Sequence, residues 1–163
     1  MLNFLVVLIV GFSSIHSDTY RCLPCGRGCD NKTYTKPGSC SDCHMELVKN
    51  NGIGFKNVPA ATVCDYIKVH PSIVLLDVRT KEEFEGKADP NFGSLKNAIN
   101  IPVQELEKRI GELEKYRNRE ILVYCSHSHR SPRASYMLTQ HGFTKVTNMS
   151  GGMSVLPPGA CKK

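Results

Sequence analysis

Cysteine, histidine, serine and arginine stand together in Cys125-Ser126-His127-Ser128-His129-Arg130-Ser131. A thiol five positions ahead of an arginine is a set suited to nucleophilic chemistry on an anion. The thiolate is the nucleophilic form of cysteine, and Arg130 supplies a fixed positive charge. The residues on either side say how this set must be held. Ile121-Leu122-Val123-Tyr124 is an apolar run of strand type, and Ala134, Met137, Leu138 and His141 follow at i, i+3, i+4, i+7 spacing, with Gly142 as a stop. Cys125 is therefore expected at the carboxyl end of a strand, just ahead of a helix amino terminus. Backbone N–H groups and the helix dipole favour negative charge there. Ser131 is expected to cap that helix, with Pro132 at its first position. His127 and His129 have two readings. They are exposed groups that recognise a donor or acceptor, or they join Cys125 in capturing a soft metal ion. An anion-binding ring of N–H groups repels a cation, which favours the first.

A second set lies near the amino terminus. Five of the eight cysteines fall between positions 22 and 43. Cys22-x-x-Cys25 and Cys40-x-x-Cys43 form two pairs with fourteen residues between them. Each pair suits a tight knuckle, and two knuckles offer four thiolates to one zinc or other soft metal ion. A segment of about thirty residues has too little apolar surface to fold unaided, so a metal or disulfide staple is expected. Disulfides are the alternative in an oxidising compartment. Cys29 is left over, as an alternative ligand, a free thiol or a disulfide partner.

The elements that must position these groups can be read in order. Val48 to Asn57 is polar and turn-rich and reads as a linker, which separates a Cys-rich module at 18–50 from a larger domain at 51–163. Asn57-Val58-Pro59 is expected to open a short helix, and Cys64 beside Val63 and Ile67 reads as a small core residue. Ser72 to Val78 is an apolar run ending in charge, as a buried parallel strand should. Asp77 and Arg79 at its end brace the Cys125 loop, or else bridge to Glu82 or Glu83 at the next helix; the second reading is the blander one. Gly86 to Lys96 carries a turn at Asp89-Pro90-Asn91 and either overhangs the site or runs idle over the surface. Ala98 to Pro102 is a short strand. Val103, Leu106, Ile110 and Leu113 mark one face of a helix. Lys145 to Met149 is the last strand, and Gly151-Gly152 permits a close backbone approach. Cys161 is a candidate to resolve a persulfide or disulfide at Cys125, though a loose chain end is the default. Strands alternating with helices from 58 to 150 give a parallel α/β sheet.

Composition narrows the function. With 163 residues, 40% of them hydrophobic, and a net charge of +6, the chain suits one globular domain plus a small module. It favours small anions, while the lack of any long basic run argues against a nucleic-acid partner. Residues 1–17 contain no Asp, Glu, Lys or Arg, and Phe4 to Val10 is apolar. This reads as a leader peptide removed ahead of Asp18, hence a periplasmic or secreted protein of a bacterial cell envelope. The apolar run is too short to span a bilayer comfortably, since about 20 residues are needed.

The loop Cys125-x4-Arg130-Ser131 between strand and helix resembles the active-site loop of the rhodanese family. Leu75-Leu76-Asp77-Val78-Arg79, Glu82-Glu83-Phe84, Asn97 to Pro102 and Asn148 to Met153 agree with that family in the right order. The resemblance implies five parallel strands with helices on both faces, a Cys125 persulfide, Arg130 as the group that positions an anionic sulfur donor, and a supporting role for Asp77 and Arg79. The Cys-rich segment resembles the small heavy-metal-binding domain found beside bacterial metal transporters. Cys22, Pro37, Gly38, Cys40, Cys43, Met45 and Leu47 match its pattern, whereas Cys25 replaces a histidine and His44 a glycine.

These readings lead to a sulfurtransferase that passes a sulfane sulfur from thiosulfate or a related donor to a thiol or cyanide, with no cofactor for catalysis. A metal-handling or redox protein is a candidate partner. The alternatives are a non-catalytic metal or sulfur carrier and a cysteine phosphatase or arsenate reductase. Phosphatase-type loops place five residues between cysteine and arginine. Four stand here, a smaller loop suited to one sulfur atom. The rhodanese family often has glycine where Ser128 stands, so a left-handed backbone there would cost about 1–2 kcal/mol.

Overall fold

A computed structural model describes residues 18–88, 92–157, 159 and 161–163. The expected leader at 1–17 and the expected turn at Asp89-Pro90-Asn91 lie outside the described residues. Among them, no helix is long and apolar enough to cross a membrane.

Residues 18–49 form a small antiparallel sheet of β1 (Tyr20–Cys22), β2 (Thr33–Tyr34) and β3 (Leu47–Lys49), in the order β2-β1-β3. Its interior consists of Cys22, Cys25, Cys29, Cys40, Cys43 and Leu47. Sulfur thus takes the place of an aliphatic core. The linker region is not a free tether. Val48 and Ile53 pack against the main core and Phe55 lies within it, and Asn50–Gly52 forms a single helical turn.

The main sheet follows: β4 (Lys56–Pro59), α1 (Val63–Val69), β5 (Val74–Asp77), α2 (Lys81–Phe84), β6 (Ile99–Asn100), α3 (Val103–Arg109), β7 (Ile121–Tyr124), α4 (Arg130–Gln140) and β8 (Val146–Ser150). Its five strands are all parallel, in the order β4-β8-β7-β5-β6. Strand geometry sends successive side chains to opposite faces. Leu76 and Val123 therefore enter one core layer with Leu106, Ala134 and Leu138 of α3 and α4. Leu75 and Leu122 enter the other, with Val63 of α1 and Met149. Helices cover both faces, as a parallel sheet requires.

Four expectations are corrected here. Asn57-Val58-Pro59 belongs to a strand, not a helix start, and pairs with Asn148-Met149-Ser150. β4 is an edge strand, and Pro59 sits at its last position, where a missing N–H costs no ladder bond. Cys64 is not a lone core residue, and Cys161 is not on a loose end. The two form a disulfide across 97 residues, with Cα atoms 5.6 Å apart. The chain end is also tied by backbone bonds from Lys96 N to Cys161 O at 3.2 Å and from Lys163 N to Ser94 O at 2.9 Å. Finally, the helix expected over Val103 to Leu113 is α-helical only to Arg109 and tightens to a 3-10 form over Ile110–Tyr116.

Candidate active site

Cys125 follows the last residue of β7, the middle strand of the sheet, and α4 begins five residues later. The loop between them is 97–99% shielded at Cys125, Ser126 and Ser128. Backbone bonds hold it in place. Cys125 O accepts from Met153 N at 2.9 Å, and Ser126 O accepts from Ser154 N at 3.0 Å. These donors follow Gly151-Gly152, the pair expected to permit a close approach. Gly152 has φ +74°, and a Cβ there would lie 2.4 Å from Ser126 O. Only glycine lets the β8 turn close over the loop.

Ser131 does not cap α4. His129 occupies the N-cap position, without a side-chain cap bond, and Pro132 is the third helical residue rather than the first. The helix starts at Arg130, so Ser131 is turned inward. Its N–H donates to Cys125 Sγ at 3.4 Å, and its hydroxyl lies 3.4 Å from the same sulfur. The serine faces the Cys125 sulfur and not the helix end. Ser128 adopts φ +56°, the left-handed conformation anticipated for a glycine position. Among the described residues its hydroxyl is buried without a partner.

Arg130 is not free to reach a substrate unaided. Its guanidinium forms a two-pronged pair with Glu83, at 2.5 and 2.7 Å, and also donates to Ser126 Oγ at 3.2 Å. Glu83 in turn accepts from Ser126 Oγ at 2.9 Å and closes a capping box with Thr80 at the start of α2. The Arg130 guanidinium, aided by the Thr80 N–H and the Ser126 hydroxyl, holds the Glu83 carboxyl down at about 2 from an ordinary 4.5. Since this folded value is depressed, the pair contributes fully above pH 4.5, and its contribution is lost as pH falls toward 2. Acid titration followed by urea unfolding should show up to about 3 kcal/mol lost across that window. Glu83→Gln should flatten this part of the curve. An unchanged acid profile in Glu83→Gln would show that the pair does not stabilise the fold.

Asp77 and Arg79 do not bridge to Glu82 or Glu83. They pair with each other, fully buried, with Arg79 Nη2 and Nε at 2.6 and 3.0 Å from the Asp77 carboxylate. Arg79 also donates to Gly93 O at 2.8 Å and lies over the Tyr124 ring. Val78 N binds Tyr124 O at 3.0 Å. The pair thus braces the end of β7 and secures the 92–95 segment. Phe92 from that segment meets His127 edge-on, with ring centres 5.4 Å apart, so this part of the stretch from Gly86 to Lys96 overhangs the loop. His127 is exposed and His129 half-buried. Burial, and then the charges of Arg27, His127 and Arg130, push the His129 imidazolium below its usual value.

The cysteine cluster differs from the expected set. The sulfurs of Cys22, Cys29, Cys40 and Cys43 lie within 4.8 Å of one another. Cys25 falls outside that group. Its sulfur stands 3.9 Å from Cys29 Sγ and donates to Asp30 Oδ1 at 3.3 Å. The Asp30 carboxylate also collects the Cys25 and Gly26 N–H groups, at 2.9 and 2.7 Å, which turns the first knuckle away from the cluster. Four thiolates bound tetrahedrally at about 2.3 Å would stand about 3.8 Å apart, so this donor set fits a zinc-like ion after small adjustment. Burial opposes ionisation at Cys40, yet the Cys43 and Asp42 N–H groups and the Tyr34 hydroxyl hold its thiol down at about 6.

A groove of about 1370 Å³ runs between the Cys-rich module and α3–α4. Leu23, Met45 and Val48 line one wall and Met137 and Arg133 the other, and His129 and Arg130 face into it. Sequence reasoning overlooked Glu83 as the partner of Arg130, although Thr80-Lys81-Glu82-Glu83 carries the capping-box signature. It left Cys29 as a spare, and no local signal ranked it above Cys25.

The description "Rhodanese-like domain" fits residues 65–156 by comparison with a family model. A tRNA uridine(34) hydroxylase of Citrobacter koseri is 28% identical over 120 residues, which are 66% of this chain and 33% of that protein. The Bacillus subtilis protein YqhL is 37% identical over 78 residues, 48% of this chain and 56% of that protein. The chain thus spans between a third and just over half the length of these relatives. Among solved structures, a rhodanese-related protein from Thermoplasma volcanium is 33% identical with a TM-score of 0.50, covering 61% of this chain and 87% of that one. The reduced CoADR-RHD of Bacillus anthracis is 32% identical with a TM-score of 0.50, covering 60% of this chain and 16% of that one.

Proposed function

The chain belongs to the rhodanese-like domain family, and on that premise we propose that it is a sulfurtransferase working through a Cys125 persulfide. The observation that carries the reading is Cys125 at the carboxyl end of the middle strand, with its sulfur 3.4 Å from the N–H and hydroxyl of Ser131 at the start of α4. The Cys125 thiolate attacks the outer sulfur of thiosulfate. The S–S bond of the donor breaks, and sulfite leaves with the bonding pair. The new persulfide carries the negative charge, which the α4 amino terminus stabilises. A thiolate or cyanide then attacks the outer sulfur, and Cys125 leaves as the thiolate. Four residues between Cys125 and Arg130 favour one sulfur over a tetrahedral oxyanion, and this supports sulfur transfer over phosphatase chemistry.

The test is intact mass after incubation of the full chain with thiosulfate. One added sulfur, mapped to the Cys125 peptide, is expected. No adduct with thiosulfate or a persulfide donor, together with hydrolysis of aryl phosphates, would replace this reading with the phosphatase one.

The amino-terminal module is read as a metal site. Cys22, Cys29, Cys40 and Cys43 would hold one zinc-like ion, whose role there is structural, since four thiolates leave no open position. Elemental analysis of protein purified without chelator should find one ion per chain. Cys29→Ser should lose it and Cys25→Ser should keep it. Loss in Cys25→Ser with retention in Cys29→Ser would return Cys25 to the ligand set, and two disulfides with no metal would end the metal reading. The charge-free apolar stretch at 1–17, read as a leader, and the Cys64–Cys161 disulfide together support an oxidising compartment such as the periplasm or the cell exterior.

A further inference from the structure

The Cys-rich module is docked on the turn that carries the Cys125 loop. Pro24 O accepts from Asn148 Nδ2 at 3.4 Å. Gly26 lies so close to β8 that a Cβ on it would be 3.1 Å from Ser150 Cβ and 3.6 Å from Gly151 N. Ser150 and Gly151 lead directly into Gly152, which lies against the Cys125 and Ser126 carbonyls. The knuckle Cys25-Gly26-Arg27 therefore sits at the same end of the sheet as the nucleophile. Asp30 holds it there through the Cys25 and Gly26 N–H groups, next to Cys29 of the four-sulfur group.

This placement bears on charge. The Arg130 guanidinium is neutralised by Glu83 at 2.5 and 2.7 Å, and Arg79 by Asp77. Arg27 is exposed, and among the described residues its side chain makes no ion pair. Its charge reaches His129 on the loop, where it helps to disfavour the imidazolium. Among the described residues, then, two unpaired arginines stand near the loop, Arg133 on α4 and Arg27 from the module, and Arg27 is the one on the β8 side.

We propose that the Cys-rich module is a specificity element of the sulfur-transfer site, with Arg27 on its first knuckle selecting doubly charged sulfur donors at the mouth of the Cys125 loop. The inference rests on the sulfur-transfer reading for its substrate. Its electrostatic content, a cation from one module acting at the nucleophile of the other, stands apart from it. Asp30 adjoins Cys29 of the four-sulfur group and binds the Cys25 and Gly26 N–H groups, so it links the cluster to the knuckle that carries Arg27. Breaking the cluster should then change donor choice as well as local stability.

The experiment compares the full chain with Arg27→Ala and Arg27→Lys. Two donors are used, thiosulfate as a dianion and benzenethiosulfonate as a monoanion. In parallel, the rates of Cys125 alkylation by iodoacetate and by iodoacetamide are read from the Cys125 peptide. Arg27→Ala should raise KM for thiosulfate about threefold more than for benzenethiosulfonate, the size of one exposed unit charge acting through a wet mouth. kcat should hold, and the iodoacetate-to-iodoacetamide ratio should fall by a similar factor. Arg27→Lys should restore most of both. Equal KM changes for the two donors, or an unchanged alkylation ratio, would overturn the proposal. If wild type turns over neither donor, the sulfur-transfer reading fails by itself. The alkylation ratio then judges the role of Arg27 alone, a fall supporting it and no change refuting it.

Discussion

Cys125→Ser is expected to abolish both persulfide formation and turnover while leaving the fold intact. The substituted atom is small and buried, and the serine hydroxyl can keep the Ser131 N–H as a partner, so the stability cost should stay near about 1 kcal/mol. The chemistry has no such tolerance. The reaction needs an anionic, polarisable nucleophile that also leaves readily in the second half-reaction. A serine hydroxyl is neutral near pH 7, and a buried alkoxide would be poorly stabilised by N–H groups placed for sulfur. The loss in kcat/KM should exceed about a thousandfold. The measurement is thiocyanate production from thiosulfate and cyanide, with intact mass as the second readout. A Cys125→Ser protein that still gains sulfur would move the carrier role to one of the module's thiols, of which Cys25, outside the four-sulfur group, would be the first to examine.

The second large effect concerns stability. Cys64 on α1 and Cys161 in the chain end close a loop of 97 residues. In the chain-entropy view, cross-linking a loop of about 100 residues restricts the unfolded ensemble by up to about 4.7 kcal/mol at 25 °C, and measured effects are usually about 2–4. The bond also fastens the segment that Arg79 holds through Gly93 O and that presents Phe92 to His127. Cys64→Ser should therefore lower stability by about 3 kcal/mol and Tm by roughly 6–12 °C. A reducing agent should bring wild type down to the level of the variant and leave the variant unchanged. If wild type and Cys64→Ser unfold alike under oxidising conditions, the bridge either does not form or does not stabilise. Turnover at 25 °C should persist in Cys64→Ser, because neither cysteine touches the Cys125 loop.

The clearest contrast between sequence and tertiary structure lies in the two sets of cysteines. Around Cys125 the chain is continuous: an apolar strand, a four-residue gap to Arg130, then a helix period. Strand, loop and helix are local, so their order placed Cys125 at a helix amino terminus without knowledge of any partner. The alternation of strands and helices likewise determined a parallel α/β sheet, and the small gap between Cys125 and Arg130 favoured sulfur over a larger oxyanion. Residue spacing carried that much because backbone geometry over a dozen residues depends on little else.

What the tertiary structure decided lies across longer separations. Arg130 meets Glu83, 47 residues away, because the sheet places β5 beside β7 and so brings the start of α2 to the loop. Asp77 and Arg79 turn to each other because burial of both leaves no water to satisfy either. Ser131 faces the sulfur and not the helix cap because α4 begins two residues earlier than its sequence suggests. Cys29 displaces Cys25 from the four-sulfur group because Asp30 pulls the first knuckle outward, onto β8. Cys64 finds Cys161 because the chain end returns to the segment at Ser94 and Leu95. Each of these pairings is a competition among groups of similar chemistry. Residue type and spacing admit several winners, and only the packing of the sheet, which is not in chain order, selects one.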